Sequence, residues 1–240
     1  MIRLLVPHAA EGEVTIEGPR LHYVTRVLRL AAGDALQVFD GRGAMFDAVL
    51  KTLEAERATV ALSNRREAPR ARAITIVQGL PKADKLELVL QKGTELGASG
   101  FVPAACVRCV VKLEGKEEAK RARWQRIVEE AARQCGRADV PEVYSPAPLL
   151  KAVEALPGAP ALLVLDEEER ALPLSLAVAP LGDRPLALII GPEGGLDRAE
   201  VEALIAKGAT PVTLGRLILR TETAALAALS VLRHLDGELG

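Results

Sequence analysis

Aromatic residues and long apolar runs are both scarce in this sequence. Its 240 residues include one Trp, two Tyr and three Phe, too few to supply the stacking platforms on which proteins bind single-stranded bases. The longest wholly apolar runs, such as ALLVL and LALII, are far too short to cross a bilayer. The N-terminal stretch MIRLLVPHAAEGE lacks the apolar core of a signal peptide. We therefore expect a cytoplasmic protein with no membrane association.

Cysteine is also rare, and the common cofactor motifs are missing. Three cysteines, an odd number, fit a reducing compartment better than a disulfide framework. Cys106 and Cys109 form a C-x-x-C pair within CVRCVV, a predicted strand, but Cys135 and the three histidines lack the paired spacing of a zinc site. We expect core cysteines and no metal. The absence of G-x-G-x-x-G, G-x-x-x-x-G-K-[ST] and G-x-S-x-G argues against a Rossmann dinucleotide site, a P-loop and a hydrolase elbow.

The net charge of −1 conceals an asymmetry along the chain. Residues 1–70 carry a net charge of +1, residues 71–140 of +4 and residues 141–240 of −6. An anionic partner is therefore expected on the first 140 residues, although a basic helix is more often only a solvated face. Contacts to a phosphate backbone are better supported than base stacking. The candidate contacts are Arg26 and Arg29 in an N-terminal helix, Lys82, Lys85 and Lys92 on one face of the next helix, and Arg133 and Arg137 near the end of the helix that contains Trp124.

The pattern of apolar residues changes near residue 70. Residues 1–62 contain five short strand patterns and one helix that begins near Pro19, which predicts a small β-barrel. Residues 63–72 are polar and basic and are the predicted linker. From residue 73, apolar strands alternate with helices, which predicts a parallel sheet covered on both faces. We expect two domains, 1–70 and 71–240, the second of the α/β class.

The stretch GPEGG, residues 191–195, directly follows the apolar strand LALII. Pro and Gly suit a tight turn, and glycines also let a ligand approach the backbone closely. Ligands of parallel sheets bind at the carboxyl ends of the strands. The residues alone leave a plain turn and a binding site as equal alternatives.

A second unusual stretch is TLGRLILRTETAALAAL, residues 213–229. Loops seldom carry three large aliphatic residues in a row, so LIL predicts either the wall of a flat pocket or a buried crossover with a surface ion pair. Thr221 or Thr223 is expected to cap the following helix, which puts Arg220 at the loop edge beside Glu222. This last helix is apolar nearly all round, which favours dimerisation.

Five blocks occur together in one order and carry a resemblance to a known family. They are LHYVTRVLRLAAGD, KADKLELVLQKGTELGASGFVP, RWQRIVEEAARQCGRADVPEV, IIGPEGGLDRAE and LGRLILRTETAALAAL. The set resembles the RsmE family of 16S rRNA uridine N3-methyltransferases, in the SPOUT superfamily. The resemblance implies a PUA-like N-terminal β-barrel, a C-terminal α/β domain with a deep trefoil knot, and a homodimer. It also implies S-adenosylmethionine (SAM, S-adenosyl-L-methionine) as the methyl donor and 16S rRNA or the small ribosomal subunit as the partner.

The resemblance carries over to individual residues. The implied cofactor-binding residues are Leu165, Gly191, Pro192, Glu193, Gly194, Gly195, Leu214, Gly215, Leu217, Ile218, Leu219, Thr223 and Ala224. The family pattern often has a basic residue where this chain has Leu217, a difference that would affect a substrate contact more than the cofactor. His22 and Arg29 match the first of the five blocks, and Lys92 matches the second. His22 is therefore added to the RNA-binding candidates.

Methyl transfer to a uracil nitrogen requires that its proton leaves and that the anion is stabilised. Arg220 is the candidate for stabilising charge on a uracil oxygen. Glu193 or Glu222 is the candidate base if burial raises its pKa. The alternative role for either acid is to orient Arg220 or to cap a helix. Two other functions remain open, a SPOUT-type ribose 2′-O RNA methyltransferase and a non-catalytic RNA-binding protein.

Overall fold

A computed structural model describes residues 2–111 and 115–240. They form two compact units. The first contains the chain up to Arg70 together with Ala132–Val140, and the second contains the rest of the described chain. Residues 132–140 thus belong to the first unit although they follow a long stretch of the second. Within residues 2–111 and 115–240, none of the helices has the length and apolar character that crossing a bilayer requires.

The first unit is built on a five-stranded sheet with the order β1-β3-β4-β5-β2. Its strands are β1 (Arg3–Leu5), β2 (Gly12–Glu17), β3 (Ala35–Phe39), β4 (Ala44–Leu53) and β5 (Arg57–Glu67). The pairing of β1 with β3 is parallel and the other pairings are antiparallel. In this order β1 and β2 are the edge strands, and a closed barrel would require them to pair.

One helical segment interrupts these strands, as the sequence predicts. Helix α1 (Gly18–His22) has Pro19 in its first turn and continues into a π-helical stretch, Tyr23–Val27. Alternate residues of β4, including Phe46 and Leu50, are buried in the core of the unit, because successive side chains of a strand point to opposite faces. The predicted linker is partly wrong, since β5 extends to Glu67.

The second unit contains a parallel sheet with the order β12-β10-β11-β6-β7-β8, and β9 also pairs with β7. Every pairing in it is parallel, which confirms the predicted parallel α/β architecture. The strands are β6 (Ile74–Gly79), β7 (Gly100–Ala105), β8 (Glu142–Val143), β9 (Ala147–Pro148), β10 (Ala161–Leu165), β11 (Leu186–Ile190) and β12 (Thr210–Val212). All five residues of β11 are buried, as expected for a strand covered on both faces.

In the part of the chain that the structure describes, six α-helices lie wholly or mostly in the second unit. They are α2 (Lys85–Glu95), α3 (Glu117–Cys135), α4 (Leu149–Glu154), α5 (Leu174–Val178), α6 (Arg198–Ala206) and α7 (Thr221–Leu235). Helix α5 was not predicted. Helix α7 packs against α2, β6 and β11 and buries Ala228, Leu229 and Leu232. Packing inside the unit therefore accounts for one side of this apolar helix.

The predicted strand CVRCVV is wrong. Strand β7 ends at Ala105, and Cys106 begins a turn in which the Cys109 N–H donates to the Cys106 carbonyl at 3.0 Å. A run of apolar residues cannot distinguish a strand from the turn that follows it.

A buried ion pair joins the start of β6 to the end of α7. Arg72 and Asp236 form a two-point contact, and their side chains are 6% and 14% exposed. Arg72 also donates to the Gly182 carbonyl at 2.8 Å. Arg233 of α7 adds a contact to Asp236 at 3.5 Å. Such a buried pair makes the removal of either partner costly.

Candidate active site

A pocket of about 410 Å³ lies at the carboxyl ends of three adjacent strands, β12, β10 and β11. Three loops line it: the first loop (191–197) follows β11, the second loop (213–220) connects β12 to α7, and the third loop (166–170) follows β10. The strands end at one level because Leu165 pairs with Val212 and Val164 with Ile189. The volume is in the usual range for small-molecule sites, and the position follows the rule for parallel sheets.

The first loop is both a tight turn and a wall of the pocket. The Gly195 N–H donates to the Pro192 carbonyl at 2.9 Å. A Cβ on Gly191 would lie 2.7 Å from the carbonyl carbon of Gly195, and a Cβ on Gly79 would lie 2.7 Å from Pro192 Cδ. Any side chain at these two positions would therefore displace the loop. The two interpretations of GPEGG are compatible.

The second loop exposes its apolar side chains. Leu217 is 81% exposed and Ile218 is 72% exposed, and both line the pocket. The alternative of a buried crossover is therefore wrong. Gly215 has a φ of 118°, and the Thr213 hydroxyl bonds both its N–H and its carbonyl at 3.1 Å. The turn thus presents an apolar surface that a ligand ring can cover.

The third loop contributes acidic residues whose pattern in the sequence carries no strong signature of a site. Asp166, Glu167 and Glu168 line the pocket. Arg198 of α6 pairs with Asp166 at 2.9 Å and with Glu168 at 3.2 Å. Their position directly after a strand could have revealed them, since the carboxyl end of β10 belongs to the same sheet edge as GPEGG.

Most of the predicted cofactor-binding residues meet in this pocket. Those that line it are Leu165, Gly191, Pro192, Glu193, Gly195, Leu214, Gly215, Leu217, Ile218, Leu219 and Ala224. Gly194 and Thr223 are not among the described residues that line it. The Gly194 carbonyl instead accepts a hydrogen bond from Arg108 Nη1 at 3.0 Å, and Thr223 is exposed on α7.

The predicted threonine cap is wrong. Arg220 occupies the N-cap position of α7 without a side-chain cap bond. Thr221 is buried, and its hydroxyl donates to the Gly191 carbonyl at 2.5 Å. A buried hydroxyl needs a hydrogen-bond partner, and the carbonyl that follows β11 provides an acceptor for it.

Arg220 lines the pocket and is exposed. In the described part of the chain, no carboxylate lies within ion-pair distance of it. The expected surface pair between Arg220 and Glu222 is therefore not formed. Both predicted acids instead contact Lys85, whose ammonium lies 3.0 Å from Glu193 and 3.6 Å from Glu222.

The environment of Glu193 lowers its pKa. Partial burial opposes ionisation, but hydrogen bonds from backbone N–H groups and from Lys85 stabilise the carboxylate and outweigh it. One of those bonds comes from the Lys82 N–H at 2.9 Å. The condition under which Glu193 was expected to act as a base, a raised pKa, is not met.

The predicted RNA-binding residues of the second unit do not share one helix face. Lys82 lies in the turn before α2, which begins at Lys85. Lys85 lines the pocket. Lys92 pairs with Glu95 at 2.9 Å. The predicted start of this helix was therefore too early: it included Lys82, whereas α2 begins at Lys85.

The candidates of the first unit lie on or near its helical segment. His22, Arg26 and Arg29 are exposed. The guanidinium of Arg133 stacks 4.8 Å from the ring centre of Tyr23. Arg137 forms an ion pair with Asp139, so two of the five basic candidates already have partners in the unit.

Cys106 and Cys109 lie close enough to change each other's pKa, and the Cys106 N–H donates to Cys109 Sγ at 3.2 Å. A hydrogen bond from the Cys106 thiol lowers the pKa of Cys109 to about 7, and the same contact raises the pKa of Cys106. Cys106 is buried, as predicted for a core cysteine, whereas Cys109 is partly exposed. No group of three potential metal ligands comes together within the described ranges.

Comparison with known proteins identifies the family. Residues 67–233 match the model of an RNA methyltransferase domain, and residues 16–63 match that of an RNA methyltransferase PUA domain. Ribosomal RNA small subunit methyltransferase E of Bacillus subtilis is 35% identical over 92% of this chain and 89% of its own length. The chain belongs to the RsmE family of RNA methyltransferases.

Two solved structures share the fold over nearly the whole chain. Ribosomal RNA small subunit methyltransferase E from Neisseria gonorrhoeae, bound to SAM, is 30% identical with a TM-score of 0.86 and covers 98% of both chains. A putative methyltransferase from Legionella pneumophila, in complex with SAM, is 31% identical with a TM-score of 0.86 and covers 98% of this chain and 97% of its own.

Proposed function

We propose that this protein transfers the methyl group of SAM to N3 of one uridine in the 16S rRNA of the small ribosomal subunit. It is a SAM-dependent RNA methyltransferase of the RsmE family. The proposal rests on the pocket at the ends of β12, β10 and β11. Arg220 lies at the edge of this pocket, and among the described residues no carboxylate pairs with it.

The chemistry of the pocket fits SAM. The first loop has glycine at Gly191 and Gly195, where a ligand can approach the backbone closely. Leu217 and Ile218 present an apolar surface suited to the adenine ring. The third loop brings Glu167 and Glu168 to the pocket, where carboxylates can bind ribose hydroxyls or the ammonium of the methionine part. SAM, when bound, supplies a methyl group that its sulfonium has already activated.

The remaining chemistry falls to the residues of the chain. Uracil N3 holds a proton at neutral pH, and negative charge spreads to the ring oxygens when that proton leaves. The guanidinium of Arg220 meets no competing carboxylate in the described ranges, so it is available to stabilise that charge. Positioning of the uridine dominates the rate, because the donor needs no activation by the protein.

Of the two candidate bases, Glu222 fits better than Glu193. The lowered pKa of Glu193 makes it a weaker proton acceptor. Glu222 Oε2 is buried, lies 3.6 Å from Lys85 and accepts no hydrogen bond from the described residues. Glu222 does not line the pocket directly, so a water molecule must pass the proton to it.

The RNA is bound by the basic first 140 residues, chiefly through its phosphates.

A homodimer is supported by helix α7, which exposes two apolar side chains, Val231 and Leu235. The resemblance to the SPOUT superfamily supports a trefoil knot in the second unit and a closed PUA-like barrel in the first. A ribosomal substrate also supports a cytoplasmic location.

Transfer of a labelled methyl group to 16S rRNA and to small subunits tests this function. Nucleoside analysis of the product is expected to yield 3-methyluridine at one position. A ribose-methylated nucleoside would support the 2′-O alternative instead. Failure of the protein to bind SAM in a calorimetric titration would leave the non-catalytic RNA-binding function.

A further inference from the structure

Gln78 is a buried amide between the first and second loops of the pocket. It is the second-last residue of β6 and is 1% exposed. Its Nε2 donates to the Thr221 hydroxyl at 2.8 Å and lies 3.3 Å from the Gly191 carbonyl. A third acceptor, the Gly79 carbonyl, lies at 3.1 Å. Neither the sequence motifs nor the lining of the pocket draws attention to this residue.

The chemistry of the three groups determines the direction of their hydrogen bonds. The Gly191 carbonyl can only accept, and the Thr221 hydroxyl donates to it at 2.5 Å. The hydroxyl hydrogen is therefore committed, and Thr221 Oγ1 can only accept from its other neighbour. Gln78 must turn its nitrogen toward Thr221, which gives one chain from amide to hydroxyl to carbonyl.

The hydroxyl and the carbonyl of this chain connect the two loops of the pocket. Gly191 is the first residue of the first loop, and Thr221 directly follows Arg220 at the end of the second. Gln78 lies on the neighbouring strand, where it pairs in register with Ile190. The chain therefore ties both loops to the rigid centre of the sheet.

Gln78 also leaves an acceptor unsatisfied. Its Oε1 is buried and accepts no hydrogen bond from the described residues. A buried polar atom without a partner lowers stability, so the unpaired Oε1 offsets part of what the hydrogen bonds of Nε2 contribute. The core alone therefore gives little reason for glutamine here.

We infer that Gln78 is a positioning residue that holds the first and second loops at the separation required for SAM and directs Arg220 toward the substrate. The inference rests on the proposed function of the pocket. Gln78 is not itself among the described residues that line the pocket, and it acts through Thr221 and Gly191, which are.

Gln78→Leu separates this role from a structural one. We expect its thermal midpoint to stay within a few degrees of wild type, because the substitution removes an unsatisfied buried acceptor. We expect its affinity for SAM, measured by calorimetry at a temperature at which circular dichroism shows a folded protein, to fall about tenfold. We expect kcat for methyl transfer to fall as well, because Arg220 loses its support.

Thr221 variants test the second link. Thr221→Val should lose about as much affinity as Gln78→Leu, and the double variant about as much as either alone, since both break one chain. Thr221→Ser keeps the hydroxyl and should retain wild-type affinity. The matched control is Thr94→Val, because Thr94 is also buried and its hydroxyl donates to the Leu90 carbonyl within α2. It should leave SAM affinity unchanged.

Gln78→Glu keeps the size of the side chain. It serves as the second test if Gln78→Leu does not fold. At neutral pH the introduced carboxylate has no proton to donate, whereas the Gln78 amide nitrogen that it replaces faces three acceptors. When protonated, it regains an O–H donor, so its SAM affinity relative to wild type should recover as the pH falls.

The outcomes are distinguishable from failure of the proposed function. If wild-type protein binds no SAM, the proposed function itself is overturned. If wild-type protein and Gln78→Leu bind SAM equally well, Gln78 has no positioning role. The same conclusion follows if the affinity of Gln78→Leu falls only in proportion to the fraction of protein that is unfolded. A pH-independent affinity ratio for Gln78→Glu would also overturn it.

Discussion

The ammonium of Lys85 lies 3.0 Å from the Glu193 carboxylate. This contact joins the first turn of α2 to the first loop of the pocket, and Lys85 itself lines the pocket. Charge alone suggested a phosphate contact for this lysine. Its neighbours indicate that it instead stabilises the ionised form of Glu193 and supports the first loop.

Lys85→Met is expected to weaken SAM binding by about tenfold, because it removes a partly buried ion pair of the pocket wall. The salt dependence of rRNA binding should stay unchanged, since Lys85 makes no phosphate contact in this arrangement. Lys92→Met provides the comparison and should reduce the slope of log affinity against log salt by about one if Lys92 contacts RNA. A reduced slope for Lys85→Met with normal SAM affinity would contradict this assignment.

Arg220→Ala is expected to retain SAM affinity and to lose methyl transfer by about 100-fold, because its role is to stabilise charge in the transition state. Single-turnover transfer of labelled methyl groups to rRNA measures the loss. Arg216→Ala is the matched control, since Arg216 is an exposed arginine of the same loop that is not among the described lining residues. Full activity of the Arg220 variant would exclude the role.

Gly79→Ala is expected to disrupt SAM binding although Gly79 does not line the pocket in the described ranges. Its Cβ would lie 2.7 Å from the backbone nitrogen of Pro192, which cannot move without the first loop. Gly194→Ala should have a smaller effect, because its Cβ would meet Arg108 Cβ at 3.4 Å, an ordinary contact. Calorimetric titration of both variants measures the difference, and equal affinities would rule out this steric argument.

Alkylation of Cys109 should accelerate as the pH rises through about 7, because a thiolate reacts and the pKa of Cys109 is about 7. Below that pH the thiol is protonated and slow. Cys106→Ala removes the thiol that stabilises the Cys109 thiolate and should move the profile to higher pH. A Cys135→Ser background removes the exposed cysteine. If the pH profile of Cys109 alkylation is unchanged by the Cys106 substitution, the two sulfurs do not interact.

Asp236→Ala is expected to reduce the free energy of unfolding by about 3 kcal/mol, because it leaves Arg72 buried without its partner. Glu54→Ala, which removes an exposed pair with Arg57, should leave the unfolding midpoint nearly unchanged. Urea unfolding of both variants checks the contrast. Equal midpoints would mean that water replaces the lost carboxylate at Arg72.

The sequence predicted the candidate site best where chemistry depends on neighbours along the chain. Gly191 and Gly195 follow a buried strand, and Leu217 and Ile218 form an apolar loop before a helix, so both pocket loops could be found from local pattern. Local pattern failed at the ends of elements. Lys82 was placed on α2, and Cys106 was placed in a strand that ends one residue earlier.

The sequence by itself determined the order and type of most elements, because apolar periodicity records which faces are buried. It also determined the family, because five blocks occur together along the chain. Only the tertiary structure decided which strands are neighbours. The order of the strands places the acids after β10 in the pocket and pairs Lys85 with Glu193. It also brings Gln78 within hydrogen-bond distance of Thr221, 143 positions away in the sequence. Side-chain contacts between distant residues depend on strand order and register, and neither leaves a periodic trace in one sequence.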